Sequence, residues 1–147
     1  RGPSAADGYW NQRDKSRRTF RGEWTYTGDT YIREPEGHFR FRGRSDEMLK
    51  VSGIWVSPFE VEEALIAHPS VLEAAVIGKR DGDGLVKPKA FVVLRAVGTG
   101  SDALVTELQT HVKDRIGVWK YPRWIDFAET LPKTATGKIQ RFRLRET

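Results

Sequence analysis

The sequence predicts an α+β fold in which two helices lie on one face of a small β-sheet. Three observations indicate this fold: short β-like segments come first, two capped helices follow, and two apolar strands joined by a turn lie between those helices. The predicted order is β-β-β, α, β-β, α, β and a short tail. Segregated strands and helices are typical of α+β domains.

The first part of the chain predicts a loop followed by short strands. Residues 1–20 contain Gly, Pro, Ser and a charged run with little periodicity, which is typical of a loop. Short segments of alternating polarity follow, at 24–29, 30–34 and 38–43. With Pro-Glu-Gly as the turn between the last two, they predict a small antiparallel meander.

Two helices are predicted from their caps and apolar spacing. Ser57 and Glu60 flank Pro58 as a capping box, and the pattern after them predicts a helix of about ten residues, to Pro69. Ser101 is expected to cap a second helix, which Gly117 would end.

Strands and a loop make up the rest of the chain. The apolar runs 71–80 and 86–95 are joined by Asp-Gly-Asp-Gly and predict a hairpin. A short strand at 123–127 precedes the loop 132–138, and a helical stub is expected at the end.

Length and composition limit the class of protein. The 147 residues fit one ordinary domain, or one domain with a piece of another. Since the sequence starts at Arg1 without a Met, we expect it to begin inside a longer chain. The net charge of +5 suits a polyanionic partner such as a nucleotide, a coenzyme phosphate or nucleic acid, but also an ordinary basic surface.

Residue usage argues against several kinds of site. The sequence has no Cys, which excludes disulfides and thiolate metal sites and favours the cytosol. His38, His68 and His111 are far apart in sequence without ligand spacing, so no zinc site is expected. No apolar stretch approaches the ~18 residues that span a bilayer.

The segment Thr-Gly-Lys near the C-terminus suggests phosphate chemistry but is not a P-loop. A P-loop needs a Gly where Pro132 stands and Ser or Thr where Ile139 stands. What remains is Lys138 on a loop shaped by Gly137, which can adopt positive φ. Such a lysine can be swung on a mobile loop onto a developing charge, or it is an ordinary exposed lysine.

Two further segments contain candidate ligand residues. Asp29, after Gly28 at a strand end, can accept hydrogen bonds from a ribose diol, or it is a turn aspartate. Arg44 is a nearby cation, and Asp46 tolerates the unusual backbone angles that a hinge requires. The alternative for this second segment, residues 43–53, is a surface hairpin.

The order and spacing of four motifs resemble one known family. RGPSAADGYW, TYTGD, GRSDEMLKVSGIWVSPFEVEEAL and LPKTATGKIQR are similar to successive C-terminal motifs of the adenylate-forming superfamily of acyl- and aryl-CoA synthetases, peptide-synthetase adenylation domains and luciferases. The resemblance covers essentially the whole chain. The residues of these segments are most similar to those of bacterial benzoate-type aryl-CoA ligases.

The resemblance implies roles for single residues. In the family a carboxylate attacks the α-phosphate of ATP, the small C-terminal domain then rotates, and CoA displaces AMP. Lys138 would bridge carboxylate and phosphate oxygens in the first step. Asp29 and Arg44 would hold the ribose, and Asp46 would be the hinge. The backbone at Gly53 would lie along the pantetheine arm, with Lys50 as a supporting contact.

A CoA nucleotide contact is implied for a third segment. Trp119, Lys120 and Arg123 match a region that meets this nucleotide in related ligases, where an aromatic ring stacks and cations pair with phosphates. The alternative is Trp119 in the core and the two cations as solvated surface.

The resemblance also implies domains and partners. Residues 1–45 would end the large adenylating domain, and residues 46–147 would form the mobile C-terminal domain. ATP, CoA and an aromatic carboxylic acid would be the substrates. Mg²⁺ would be bound by the absent N-terminal part, so we expect the fragment alone to be inactive. Two alternatives stay open: a peptide-synthetase adenylation domain and, from another class, a basic nucleic-acid-binding module.

Overall fold

The computed structural model describes residues 2–145, and the chain forms two compact units with their boundary between Asp46 and Glu47. We call residues 2–46 the N-terminal unit and residues 47–145 the C-terminal unit. The boundary lies one residue from the predicted one. That the first unit ends a larger domain stays a prediction. No helix within residues 2–145 is long and apolar enough to cross a membrane.

The N-terminal unit contains one short helix and two strand pairs: α1 (Arg13–Thr19), β1 (Phe20–Arg21), β2 (Trp24–Thr25), β3 (Asp29–Arg33) and β4 (Phe39–Arg44). The antiparallel pairing of β3 with β4 around the predicted turn is confirmed. The single meander is wrong, because β2 pairs back with β1.

Helix α1 corrects the prediction of a loop over residues 1–20. The helix buries none of its residues, so it has no apolar stripe from which periodicity could have revealed it. Its charges do fit a helix, since Asp14 lies in the first turn and Arg17 and Arg18 in the last, where each complements the helix dipole.

The C-terminal unit is built around a three-stranded sheet. Its elements are β5 (Leu49–Val51), β6 (Ile54–Val56), α2 (Pro58–Ile66), β7 (Val71–Arg80), β8 (Val86–Leu94), α3 (Asp102–Ile116), β9 (Trp124–Phe127) and α4 (Arg141–Leu144). The sheet order is β7-β8-β9. The predicted hairpin is confirmed as β7 and β8, while β9 runs parallel to β8 after the intervening helix α3. The α+β class is confirmed.

The predicted strand order left out the hairpin of β5 and β6, although a surface hairpin was the alternative for the segment 43–53. Its two-residue turn is Ser52 (φ 49°) and Gly53 (φ 88°), and a type I′ turn requires positive φ at both positions. Each strand has only three residues, too few for alternation to stand out.

The caps of the two long helices differ from each other. On α3 both predicted caps are confirmed, because Leu104 N donates to Ser101 Oγ at 3.2 Å and Gly117 follows the last helical residue. On α2, Ser57 is the N-cap residue but makes no side-chain cap hydrogen bond. The predicted capping box is wrong, since Glu60 binds Lys120 instead.

Two apolar clusters lie on opposite faces of the sheet. Alternate residues of β7 divide between them: Ala74 and Val76 join the first cluster, Ala75 and Ile77 the second. Helices α2 and α3 cover the first face, as predicted. The second face is covered by the C-terminal segment, through Leu131, Ile139 and Leu144.

Candidate functional site

The predicted ribose and hinge residues lie together in the N-terminal unit. Asp29 on β3 is in register with Arg44 on β4, and Arg44 Nη1 lies 3.5 Å from Asp29 Oδ1. The same guanidinium donates to both carboxylate oxygens of Asp46, at 2.9 and 3.0 Å. The structure therefore brings all three predicted residues to one place.

The backbone around this cluster is tightly closed. Both the amide and the hydroxyl of Ser45 donate to Gly28 O, at 2.8 and 3.0 Å. Gly28 has a φ of 79°, and a Cβ there would lie 3.2 Å from Arg44 Nη2. These residues line a cleft of about 940 Å³. The side-chain hydrogen bond from Arg44 lowers the pKa of Asp46, the predicted hinge residue.

The loop that carries Lys138 is closed by its own hydrogen bonds. Thr134 N donates to Lys138 O at 2.8 Å, and Lys138 N donates to Thr134 Oγ1 at 3.0 Å. Gly137 supplies the turn with a φ of 82°. Lys133 and Ile139 form a bridge at the base of the loop.

Contacts outside the loop hold that base in place. Lys133 Nζ lies 2.6 Å from Glu73 Oε1 on β7, and Ile139 packs against the second apolar cluster. Backbone hydrogen bonds and packing thus give the loop a defined conformation, and its mobility stays a prediction. Lys138 itself is exposed, and within residues 2–145 its ammonium group has no hydrogen-bond or ion-pair partner.

The turn of the β5–β6 hairpin presents open backbone. A Cβ built on Gly53 meets no atom within 4 Å, so a ligand could approach the peptide closely. Lys50 is exposed on the same hairpin, with Nζ 5.9 Å from the centre of the Trp55 ring opposite it. The structure thus places the predicted pair Lys50 and Gly53 on one hairpin.

A cleft of about 480 Å³ joins this turn to part of the predicted CoA segment. Ser52, Trp119 and Arg123 line it together. Trp119 is 62% exposed, so the alternative of a core tryptophan is wrong. Lys87 also lines the cleft, with Nζ 3.0 Å from Ser52 Oγ, and sequence reasoning missed it. The signal that could have identified Lys87 was a basic residue next to Pro88 within a largely apolar strand.

Lys120 is held away from that cleft. Its ammonium group donates to both carboxylate oxygens of Glu60 on α2, at 2.8 and 2.9 Å. The charge that was expected to meet a phosphate is therefore already paired in this conformation. Its role in CoA binding stays a prediction.

Sequence reasoning also missed a buried ion cluster beside the Lys138 loop. Arg141 binds Glu62 with two nitrogen atoms, at 2.8 to 3.2 Å, and lies 3.2 Å from Glu47. The signal was Glu62 itself, which stands on the apolar stripe of α2 between Val61 and Leu65. A charge there needs a partner.

Two of the histidines, although far apart in sequence, are neighbours in the structure. The rings of His68 and His111 lie edge to face with centres 5.1 Å apart, because α2 and α3 pack side by side. His68 Nε2 lies 3.1 Å from Glu107, and His111 Nε2 lies 3.0 Å from Ala64 O. Over residues 2–145, no group of three or more His, Cys, Asp or Glu is placed to hold a metal ion.

Comparison with known proteins finds close relatives over nearly the full chain. The chain is 60% identical over 146 residues to the 4-hydroxybenzoate--CoA/benzoate--CoA ligase of Rhodopseudomonas palustris, covering 99% of this chain and 27% of that protein. Among solved structures, an anthranilate CoA ligase in complex with anthranoyl-AMP superposes with a TM-score of 0.93 at 53% identity, covering 99% of this chain and 28% of that one. A benzoate CoA ligase from Burkholderia xenovorans gives a TM-score of 0.88 at 58% identity, covering 98% and 28%.

These relatives are much longer than the chain, which spans about a quarter of their length. A family match covers more than half of this sequence, over residues 60–138, and includes Lys138 at its end. The chain therefore belongs to the family of AMP-binding enzyme C-terminal domains.

Proposed function

We propose that the chain is the C-terminal part of an AMP-forming aryl-CoA ligase that activates a benzoate-like acid. The carboxylate oxygen attacks the α-phosphorus of ATP and expels pyrophosphate, which gives an acyl-adenylate. The CoA thiol then attacks the acyl carbonyl and expels AMP. The similar proteins named for benzoate, and the one bound to anthranoyl-AMP, support both the aromatic acid and the adenylate.

A single observation carries this proposal: two candidate elements belong to opposite faces of one sheet. The Lys138 loop packs through Ile139 onto the second apolar cluster, whereas the β5–β6 hairpin packs through Leu49 and Val51 into the first. A domain built in this way presents one element or the other when it turns. This arrangement fits a reaction with two half-reactions that need different groups.

Lys138 has the properties that the first half-reaction needs. Adenylation brings two anions together, so a cation near the forming bond reduces their repulsion and stabilises the transition state. Its ammonium group is exposed and unpaired among the described residues, while its backbone is fixed by Thr134. A charge held on a closed loop loses little conformational freedom when it is brought to the substrate.

The remaining candidates serve the nucleotide and the coenzyme. Asp29 and Arg44 would hold the ribose hydroxyls of ATP, with Asp46 as the hinge beside them. We propose that the cleft at Ser52 and Trp119 takes part of CoA. The exposed indole offers a stacking surface there, and the neighbouring cations Lys87 and Arg123 offer partners for phosphate.

The parent enzyme would supply what this chain lacks. We propose that Mg²⁺ is held by the rest of the parent protein. The acyl pocket would lie there too, so the chain by itself would be inactive. The absence of Cys suggests the cytosol as the compartment.

The experiment uses the full-length parent enzyme and separates its two half-reactions. Lys138→Ala should lower benzoate-dependent ATP–pyrophosphate exchange by about 10²–10³-fold, the usual loss for one well-placed charge donor. Capture of supplied benzoyl-AMP by CoA should change by less than about threefold. Arg143→Ala removes an exposed cation five positions away and is the matched control, with both activities expected at the wild-type level.

Two results would contradict the assignment. Exchange at the wild-type level in Lys138→Ala would remove the lysine from the first step. Equal loss of exchange and CoA capture would mean that the lysine supports the fold of the domain.

The proposed CoA cleft has its own test. Lys87→Glu and Arg123→Glu should each raise the KM for CoA several-fold and leave pyrophosphate exchange unchanged, because both side chains line the cleft. Lys120 is unsuitable for this test, since a reversed charge would lie against Glu60. An unchanged KM in both variants would place CoA elsewhere.

A further inference from the structure

The ion cluster around Arg141 joins three separate parts of the C-terminal unit. Arg141 begins α4, three residues after Lys138, and its guanidinium binds Glu62 on α2 with distances down to 2.8 Å. Its Nη1 also lies 3.2 Å from Glu47 Oε2, directly after the candidate hinge residue Asp46. One side chain therefore links the end of the Lys138 loop, helix α2 and the first residue of the unit.

This link runs around the free edge of the sheet. β7 is an edge strand, and the Val76 amide on β7 donates to Glu62 Oε1 at 2.7 Å. The carboxylate thus accepts from the strand edge and from Arg141 together. It connects α2, which covers the first face, with α4, which covers the second.

Burial makes the link rigid and selective. The side chain of Glu62 is only 7% exposed and that of Arg141 20% exposed. Burial raises the pKa of Glu62, while the hydrogen bonds from Arg141 and Val76 oppose that rise. Separating the pair would leave a buried carboxylate without its counter-charge, which costs free energy. The planar guanidinium of Arg141 is therefore held in one orientation.

We propose that Arg141 is a positioning residue for adenylation: it fixes the Lys138 loop to α2 and to Glu47, so that rotation at the hinge carries Lys138 to the substrate in a set orientation. The inference rests on the proposed function. The loop is closed by hydrogen bonds at Thr134, and its base is held at Glu73 and at the second apolar cluster. The Arg141 cluster adds the tie to α2 and to Glu47. Among residues 2–145, a Cβ on Gly53 would meet no atom within 4 Å, those of the cluster included, so we expect the second half-reaction to be independent of the cluster.

The test uses the full-length parent enzyme with both half-reactions measured separately. Arg141→Gln alone would leave Glu62 buried and unpaired, so the main variant is the double change Glu62→Gln with Arg141→Gln, which removes both charges. Its kcat for ATP–pyrophosphate exchange should fall by about tenfold to a hundredfold, because a displacement of about 1 Å at the reacting groups has effects of this size. CoA capture of supplied benzoyl-AMP should stay within about twofold of wild type. The KM for ATP should also stay within about twofold, since the ribose residues are untouched.

Two controls separate this role from a general loss of structure. Arg143→Gln removes the other arginine of α4, an exposed residue whose guanidinium donates to Gln140 at 3.4 Å, and both activities should stay at the wild-type level. Glu47→Gln removes only the second acceptor of Arg141 and should lower exchange about threefold without affecting CoA capture. Circular dichroism verifies that each variant is folded.

The outcomes are separable. Exchange within twofold of wild type in the double variant, or equal loss of both half-reactions, overturns the positioning role. Should the double variant not fold, wild-type exchange in Glu47→Gln overturns it. Lys138→Ala is measured in parallel. If that variant also keeps its exchange activity, the proposed function fails as a whole. If Lys138→Ala loses exchange activity while the Arg141 variant keeps it, only the positioning role is refuted.

Discussion

The two units of this chain differ in how far they bury their apolar side chains. In the N-terminal unit Gly43 is the only described residue that is buried, and Trp10 and Phe39 are 96% and 69% exposed. The C-terminal unit buries two apolar clusters, in which Leu65 and Leu108 are fully enclosed. Residues 2–46 form one short helix and two strand pairs but contribute to neither apolar cluster.

The candidate site residues are therefore held in place by different interactions in the two units. In the C-terminal unit, packing holds the Lys138 loop and the hairpin turn in place. In the N-terminal unit, the cluster of Asp29, Arg44 and Asp46 is held by strand register and hydrogen bonds. Most aromatic residues of this unit stay exposed, so it lacks the buried apolar surface that a segment of this size needs to fold by itself.

The largest expected effect comes from separating the units. A protein of residues 47–147 should fold cooperatively, since it keeps both apolar clusters, whereas residues 1–46 should not fold. Two-dimensional NMR of the amide groups distinguishes the two outcomes, with dispersed signals expected only from the first. Dispersed signals from residues 1–46 alone would break the comparison.

A smaller effect is expected when one apolar side chain is removed from each unit. Leu108→Ala should lower the free energy of unfolding of the C-terminal unit by about 2–5 kcal/mol, since it leaves a cavity between α3 and the sheet. Phe39→Ala is the matched change on an exposed strand position and should stay within about 0.5 kcal/mol. Urea unfolding of the 147-residue chain measures both, and equal losses would contradict the contrast.

The smallest effects concern one carboxylate in each unit, and the two should change the stability of the fold with pH in opposite directions. Burial raises the pKa of Glu62, with Arg141 and Glu47 as its charged neighbours. Its contribution to stability is therefore present below its unfolded pKa and is lost as the pH rises through the folded value. Compared with Glu62→Gln, the wild-type chain should lose stability as the pH rises from about 4.

Asp46 should behave in the opposite way. The hydrogen bond from Arg44 lowers its pKa, so its contribution is present above the unfolded pKa and is lost as the pH falls through the folded value. Because its side chain is 64% exposed, the difference between wild type and Asp46→Asn should be below about 1 kcal/mol. Urea titrations at several pH values measure both carboxylates, and the same sign for the two would refute the assignment.

Local signals in the sequence were sufficient for much of this molecule. Caps and apolar spacing predicted α3 from Ser101 to Gly117, and alternating apolar runs predicted the hairpin of β7 and β8. The order of four motifs identified the family, which the match over residues 60–138 confirms. These features depend on residues that are close in sequence, so the sequence alone determines them.

Other features were decided only by the tertiary structure. Lys120 meets Glu60 across 60 positions, Arg141 meets Glu62 across 79, and His68 lies against His111 because two helices pack together. Packing also places the segment from Leu131 to Leu144 on the second face of the sheet. An ion pair or a buried contact between distant residues forms only when the core has brought them within a few ångströms, and no local pattern encodes that distance.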